Sequence, residues 1–269
     1  MSAFLILAAT YAGLGSITGL LAGLLGVGGG MVMVPALYWI LSTQGLADSA
    51  MHIAVATSMA VIIPTGFVSA RSHYKRGGVD WALWRRWVPG AIAGVIIGTL
   101  MASHMPKDIL RIFFGTLLLM LAGLMVWTPH TSPKRQLPET LSVMLPLGAL
   151  IGFISALAGI GGATLSVPAM RFMNRPLPRA IGTASALGVA IAIPACAMYL
   201  VLAPYGHVNA PWVVGSVHLK AALLIACTSL PMAPVGAKLT HTLPVRTVKI
   251  VFVFFMVLVS AKLLLEGVF

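Results

Sequence analysis

Acidic charge is almost missing from this sequence: five carboxylates, Asp48, Asp80, Asp108, Glu139 and Glu266, stand among 269 residues. All five lie in or close to loops and termini, so the chain offers neither a paired-acid catalytic site nor the membrane-embedded carboxylate that usually relays protons. Charge of either sign is scarce. The 17 basic and 5 acidic side chains make up 8% of the residues, against roughly 25% in an ordinary soluble domain. Cysteine is scarcer still: Cys196 and Cys227 sit inside apolar stretches without metal-ligand spacing and read as buried free thiols. No HExxH, GxSxG or other nucleophile–base pattern occurs, so an enzyme is not expected, nor a cofactor or a metal site. The N-terminus, MSAFLILAATYAGLG, lacks a basic segment and a small-residue cleavage pattern, and reads as mature chain.

Apolar surface is what the chain has in abundance, with 59% hydrophobic residues and a mean hydropathy of +1.01. Such a composition makes lipid the solvent. The apolar runs are continuous rather than alternating, which excludes a β-barrel and predicts an all-α polytopic membrane protein. Eight segments emerge, at about 3–41 (interrupted), 50–70, 81–102, 109–127, 141–173 (interrupted), 180–203, 212–237 and 245–265. The net charge of +12 would suggest nucleic acid in a soluble protein. Here the basic residues cluster between apolar runs, where positive-inside topology accounts for them, and no nucleic-acid partner is expected.

The chain repeats itself. Laying Gly15–Leu37 over Gly148–Met170 makes nine of 23 positions identical, among them Gly15/Gly148, Gly19/Gly152, Gly28/Gly161, Gly29/Gly162 and Pro35/Pro168. Ala54-Val-Ala-Thr57 resembles Ala180-Ile-Gly-Thr183, and in a further register Gly98, Pro106, Ile112 and Phe114 fall on Gly236, Pro244, Ile250 and Phe252. The expected organisation is an N-terminal repeat (1–127), a cytoplasmic linker (128–140) and a C-terminal repeat (141–269). Equivalent loops carry opposite charge character. Positions 42–49 have no Lys or Arg while 171–179 carry Arg171, Arg175 and Arg179, and 71–80 carry Arg71, Lys75 and Arg76 while 204–211 carry none. Two inverted repeats follow from positive-inside. Each is expected to hold a Gly-broken re-entrant or hairpin segment and three transmembrane helices, giving 8–10 spans with both termini outside.

The breaks fall at Gly26-Val-Gly-Gly-Gly30 and Gly159-Ile-Gly-Gly-Ala163. Glycine permits the reversal there. The N–H groups of the helices that follow would form anion-binding nests without basic side chains, lined by Gly28, Gly29, Gly30, Gly161, Gly162 and Ala163. Thr164, Thr57, Ser58, Thr183 and Ser185 add hydroxyls that could face a substrate or bond back to their own helices. Lys220, with His218, intrudes into an apolar run and is either a substrate ligand or a snorkelling cation. The earlier small residues of each repeat (Gly15, Gly19, Gly23 and Gly26; Gly148, Gly152, Ala156 and Gly159) recur at the spacing that packs membrane helices closely. His52 reads as an interfacial residue, and Arg85 and Arg86 as an interfacial anchor between Trp84 and Trp87.

The paired G-[VI]-G-G motifs followed by V-P-A, the A-[VI]-[AG]-T segments and Arg76-Gly-Gly-Val-Asp80 resemble the sulfite exporter TauE/SafE family over essentially the whole chain. Ala163 departs from the pattern by standing where the first motif has Gly30. The resemblance implies a cell-membrane carrier for a small sulfur-containing or organic anion, sulfite- or sulfonate-like, moved outward. An anion leaving an inside-negative cell gains about 2.3 kcal/mol per charge per 100 mV, so the expectation is potential-driven export, with histidine-mediated proton coupling through His218 as the alternative. An anion-selective channel-like pore is the alternative. The expected partners are the small anionic substrate and the lipid bilayer, and homo-oligomerisation is left open.

Overall fold

The computed structural model describes residues 2–25, 29–127, 138–202, 210–239 and 245–266. They form ten helices: α1 (Ser2–Leu25), α2 (Gly30–Leu41), α3 (Ala50–Tyr74), α4 (Trp81–His104), α5 (Lys107–Trp127), α6 (Leu141–Ala158), α7 (Ala163–Phe172), α8 (Leu177–Val201), α9 (Leu219–Leu239) and α10 (Val245–Leu265). Seven of these (α1, α3, α4, α5, α6, α8 and α9) are long and apolar enough to cross a membrane, while α10 adds a shorter apolar stretch at Ile250–Leu265. The helices α2 and α7, at 12 and 10 residues, reach about half the bilayer at 1.5 Å per residue. Large apolar side chains on the outer faces, such as Ile97, Met120, Leu150, Ile193, Leu223 and Phe254, are exposed, which suits a surface solvated by lipid.

Two sequence expectations change here. The segment expected to be helical from 212 begins instead as a two-stranded antiparallel hairpin, β1 (Val213–Val214) with β2 (Val217–His218), and the helix starts at Leu219. Positive φ at Trp212 and Gly215 and the β-branched valines between them favour that turn over another helical coil. Cys227 faces outward from α9, whereas Cys196 is buried as expected. His52 is buried too, its Nε2 lying 2.9 Å from the Met105 carbonyl at the α4–α5 turn.

The packing partners recur in exchanged pairs. Helix α1 lies along α9, and α6 along α4; α3 meets α9, and α8 meets α4; α3 crosses α8, and α5 crosses α10. The contacts match position by position. A Cβ at Gly15 or Gly19 would strike the carbonyl oxygen of Ile225 or Ser229, and one at Gly148 or Gly152 that of Trp87 or Ala91. Trp87 and Ala91 are the counterparts of Ile225 and Ser229 in the register that lays Gly98 on Gly236. Gly98 meets the Phe153 carbonyl, and Gly236 meets that of Leu20, the counterpart of Phe153 in the register of Gly15 and Gly148. Only the absence of a side chain lets these backbones approach so closely. Rising numbers pair with rising numbers, so α1 runs parallel to α9 and α4 to α6. In the central pair, by contrast, Gly66 faces Val189 while Ser69 faces Ser185, so α3 and α8 are antiparallel.

The same exchange governs how α4 and α9 begin. Asp80 Oδ1 accepts the Leu83 N–H (3.0 Å), and its own N–H donates to Thr183 Oγ1 (2.8 Å). His218 Nδ1 accepts the Ala221 N–H (3.2 Å), and its N–H donates to Thr57 Oγ1 (3.0 Å). Each helix start is therefore capped by its own side chain and held by a threonine from the other half.

The two ends of the bundle differ in charge. At one, Arg175 forms ion pairs with Asp80 (3.2 Å) and Glu139 (2.8 Å), and Arg86 pairs with Glu139 at 3.6 Å. This network joins the α3–α4 turn, the approach to α6 and the α7–α8 turn; the side chain of Arg86 is thus engaged in an ion pair. At the other end Asp48 pairs with Lys107, Trp39 Nε1 donates to Glu266 (3.0 Å), and Gln44 donates to the Tyr11 hydroxyl (3.1 Å). These groups bring the α2–α3 and α4–α5 turns together, with α2 and its turn also tied to Tyr11 of α1 and to Glu266 at the end of α10.

Candidate functional site

Both glycine breaks are real interruptions. Gly29 and Gly162 occupy left-handed conformations (φ +73° and +69°) immediately before α2 and α7, where an L side chain would be strained. Each chain then doubles back on the preceding helix in the same way. The Gly29 Cβ position lies 3.0 Å from the Thr18 carbonyl oxygen, and that of Gly162 lies 3.5 Å from the side chain of Ile151, the residue that the repeat lays on Thr18. Gly28, with Gly26 and Val27, lies outside the described residues.

The breaks touch each other. A methyl group at Gly30 would hit the Gly159 carbonyl oxygen and stand 3.0 Å from the Ile160 Cα. This explains why the first motif ends in glycine while the second tolerates Ala163. Gly159 ends α6 with φ +66°, and the Ser58 hydroxyl, 2.6 Å from the Gly159 carbonyl and 2.8 Å from that of Val55, ties α3 to the break. Gly159 is thus a turn residue as well as a close-packing one.

Hydrogen bonding inside the second break leaves donors over. The Gly162 N–H donates to Ile160 (2.6 Å), and the Leu165 and Ser166 N–H groups both donate to the Gly162 carbonyl (3.2 and 2.9 Å). The N–H groups of Gly161, Ala163 and Thr164 find no partner among the described residues. Two hydroxyls in the same place are also unpartnered: Thr164 Oγ1, on a side chain 6% exposed, and Ser155 Oγ, fully buried and 3.4 Å from the Gly162 Cβ position. In lipid such groups cost several kcal/mol unless something meets them. Together they form a set of unpartnered donors at the positive end of α7, a chemistry suited to a small anion.

The structure brings together Gly29, Gly30, Ser58, Gly161, Gly162, Ala163 and Thr164 from the expected set. No contact among the described residues brings Thr57 and Thr183 into that set: their oxygens accept the backbone N–H groups of His218 and Asp80 at the starts of α9 and α4. Ser185 bonds back to the Ile181 carbonyl (2.9 Å) and approaches Ser69 (3.2 Å), in a narrow cleft that ends at Gly161. Lys220 lies in the first turn of α9 beside His218, whose ring approaches that of Tyr11 (6.3 Å between centroids). Burial, reinforced by Lys220, holds the His218 ring below its ordinary 6.5. Ser155, Thr65 and Ser69 were missed at the level of sequence. Ser155 could have been found as the polar residue that the repeat lays over Ala22, and Thr65 and Ser69 as hydroxyls one helical turn apart.

Comparison with known proteins agrees with this architecture. The sequence profile of the family described as sulfite exporter TauE/SafE matches residues 11–263. A probable membrane transporter protein of Haemophilus influenzae is 33% identical over 258 residues, covering 94% of this chain and 96% of its own length. Proteins bearing the same description from Methanocaldococcus jannaschii and Bacillus subtilis (YunE) are each 25% identical; the first alignment covers 92% of this chain and 91% of that protein, the second 95% and 97%. No solved structure matches the chain significantly. A profile spanning nearly every helix, together with an apolar bundle interrupted at two glycine breaks, makes this chain a multi-pass membrane transporter belonging to the sulfite exporter TauE/SafE family.

Proposed function

We propose that the protein exports a small sulfur-containing or organic anion, sulfite- or sulfonate-like, through a midplane site where the two glycine breaks meet. The observation that carries this reading is the buried, unpartnered donor set at α7: the Thr164 and Ser155 hydroxyls beside the N–H groups of Gly161, Ala163 and Thr164. An oxyanion takes up such donors at once, and each hydrogen bond to a charged ligand contributes about 1.5–3 kcal/mol.

The reading includes two inverted repeats, 1–127 and 141–269, joined by a cytoplasmic linker at 128–140, of which 128–137 lie outside the described residues. Inversion is supported by α3 and α8, which are equivalent in the register that lays Thr57 on Thr183 and antiparallel to one another. A two-fold axis relating antiparallel neighbours lies across the helices, in the membrane plane. Arg71, Lys75, Arg76, Arg86, Arg171, Arg175 and Arg179 gather at the Asp80–Glu139 end, which makes that end cytoplasmic. The membrane potential then drives a bound anion outward.

The test is sulfite flux in proteoliposomes at a fixed pH gradient and varied potential. Saturable flux that rises with an inside-negative potential is expected, with the KM raised about tenfold in Thr164→Val and Ser155→Ala. Flux indifferent to potential refutes potential-driven export, and flux without saturation replaces the carrier with a pore.

A further inference from the structure

The basic end of the bundle holds more positive charge than its own acids neutralise. Among the described residues those acids are Asp80 and Glu139, and Arg175 and Arg86 already occupy them. The Arg171 guanidinium donates to the Arg175 carbonyl (3.3 Å). Arg71, Lys75, Arg76 and Arg85 are exposed and form no ion pair or side-chain hydrogen bond among the described residues. They are not scattered. Arg71, Lys75 and Arg76 lie at and just past the end of α3, and Arg85 lies one turn into α4. A ladder of rings joins the two helix ends: Tyr74 meets Trp81 edge-on with centroids 5.9 Å apart, and Trp81 meets Trp84 at 5.5 Å. Helical spacing puts Phe67 on the face of Arg71 and Tyr74, and Ile92 and Ile96 on the face of Trp81 and Arg85. Phe67, Tyr74, Trp81, Ile92 and Ile96 are all exposed.

We infer that this surface binds the headgroup of an anionic phospholipid, of the phosphatidylglycerol kind, from the leaflet at the basic end. A phosphodiester offers one negative charge and two terminal oxygens, which suit the Arg71 and Arg85 forks and the Lys75 ammonium. Tyrosine and tryptophan rings settle at headgroup level, where one side is wet and the other apolar. Deeper on the same faces, Phe67, Ile92 and Ile96 offer apolar surface to the acyl chains. A free phosphate ion would use the cations alone and leave the rings and the apolar faces without a role. Positive-inside topology accounts for the sign of the charge here. It does not account for cations left unpaired beside exposed rings while Arg86, Arg171 and Arg175 are engaged. A lipid held there spans the end of α3 and the start of α4. It thereby braces the turn whose Asp80 caps α4 and pairs with Arg175. The surface does not depend on which anion is transported.

Brominated acyl chains quench the tryptophans they touch, so the ladder itself reports the lipid. The protein is reconstituted in phosphatidylcholine vesicles containing increasing fractions of brominated phosphatidylglycerol or brominated phosphatidylcholine. The signal of Trp81 and Trp84 is the difference between the unaltered protein and the Trp81→Phe, Trp84→Phe double variant. Each Lys or Arg beside an anionic headgroup contributes about a fivefold preference, so three cations permit about a hundredfold. Half-quenching is expected at a mole fraction of phosphatidylglycerol at least about tenfold below that of phosphatidylcholine. Arg71→Gln, Lys75→Gln and Arg85→Gln together should abolish the difference. In the unaltered protein, salt at about 1 M, which screens beyond about 3 Å, should weaken it. Equal quenching by the two lipids, a preference that survives the triple variant, or one indifferent to salt overturns the inference. If the triple variant does not fold, the salt titration decides. Inorganic phosphate that removes the preference at constant ionic strength would replace the lipid with a free ion and overturn the inference as well. Sulfite flux plays no part in the readout, so the lipid surface and the proposed substrate stand or fall separately.

Discussion

Thr57 and Thr183 make a paired test of the fold. Each oxygen accepts the backbone N–H of the residue that opens a helix in the other half, His218 at 3.0 Å and Asp80 at 2.8 Å, and both threonines are buried. Valine has nearly the same shape and no acceptor, so Thr57→Val and Thr183→Val each strand one N–H. Leaving a buried donor unsatisfied costs about 1–3 kcal/mol, and the low dielectric of the site keeps the cost from the bottom of that range. For a chain of this size the expected fall in apparent melting temperature is about 5 °C per variant. Serine keeps the oxygen, so Thr57→Ser and Thr183→Ser should recover most of the loss. Because the two bonds are far apart and share no partner, the double valine variant should lose close to the sum. The measurement is thermal unfolding of purified protein in one detergent, followed by tryptophan fluorescence. Valine variants that melt with the wild type, or serine variants as damaged as the valines, would refute the cross-half capping.

Further expectations concern the glycines, the site and pH. Gly236→Ala, whose new methyl meets the Leu20 carbonyl, should sharply lower the yield of folded protein, whereas Gly13→Ala, with open space around it, should be neutral or stabilising; size-exclusion profiles after expression check both. Gly161→Val should abolish sulfite flux while leaving membrane insertion intact, since its side chain would press on Ile62 at the head of the cleft; wild-type flux would mean that this glycine only packs. His218 accepts the Ala221 N–H through Nδ1, which a proton would block. Burial keeps the folded ring below 6.5, so the unfolded chain takes up a proton that the folded one refuses, and stability should fall as pH drops from about 6.5 through the folded value. His218→Asn, which caps without titrating in this range, should flatten that dependence in melting curves recorded from about pH 7.5 to 5.

Much of the architecture was legible because lipid leaves so few ways to satisfy a backbone. Continuous apolar runs had to be helices, and duplicated glycine clusters had to be places where helices stop. The duplicate pairs Gly15/Gly148 and Gly19/Gly152 were readable as packing positions, and they stand where backbones meet. Less legible was what depends on partners distant in sequence. Nothing local in Thr57 or Thr183 indicates that each serves a helix start in the other half, because the bond joins residues 161 or 103 positions apart. His52, at the head of an apolar run, looked interfacial because its burial comes from the α4–α5 turn. The 212–218 stretch misled through its apolar composition: Val213, Val214 and Val217 satisfy a hydropathy window whether they coil or pair as strands. At the site, the glycines pointed to themselves, whereas Ser155 is conspicuous only once its hydroxyl is seen to lack a partner.

The pairing of α1 with α9 has a bearing on biogenesis. Gly15 and Gly19 are ready to pack as soon as α1 enters the bilayer, yet Ile225 and Ser229 are encoded near the far end of the chain. At about 5–20 residues per second, α1 waits roughly 10–40 seconds of synthesis for its neighbour. During that interval its small-residue face must rest against lipid or an insertion chaperone, and a chain truncated before α9 would leave it a standing target for membrane proteases.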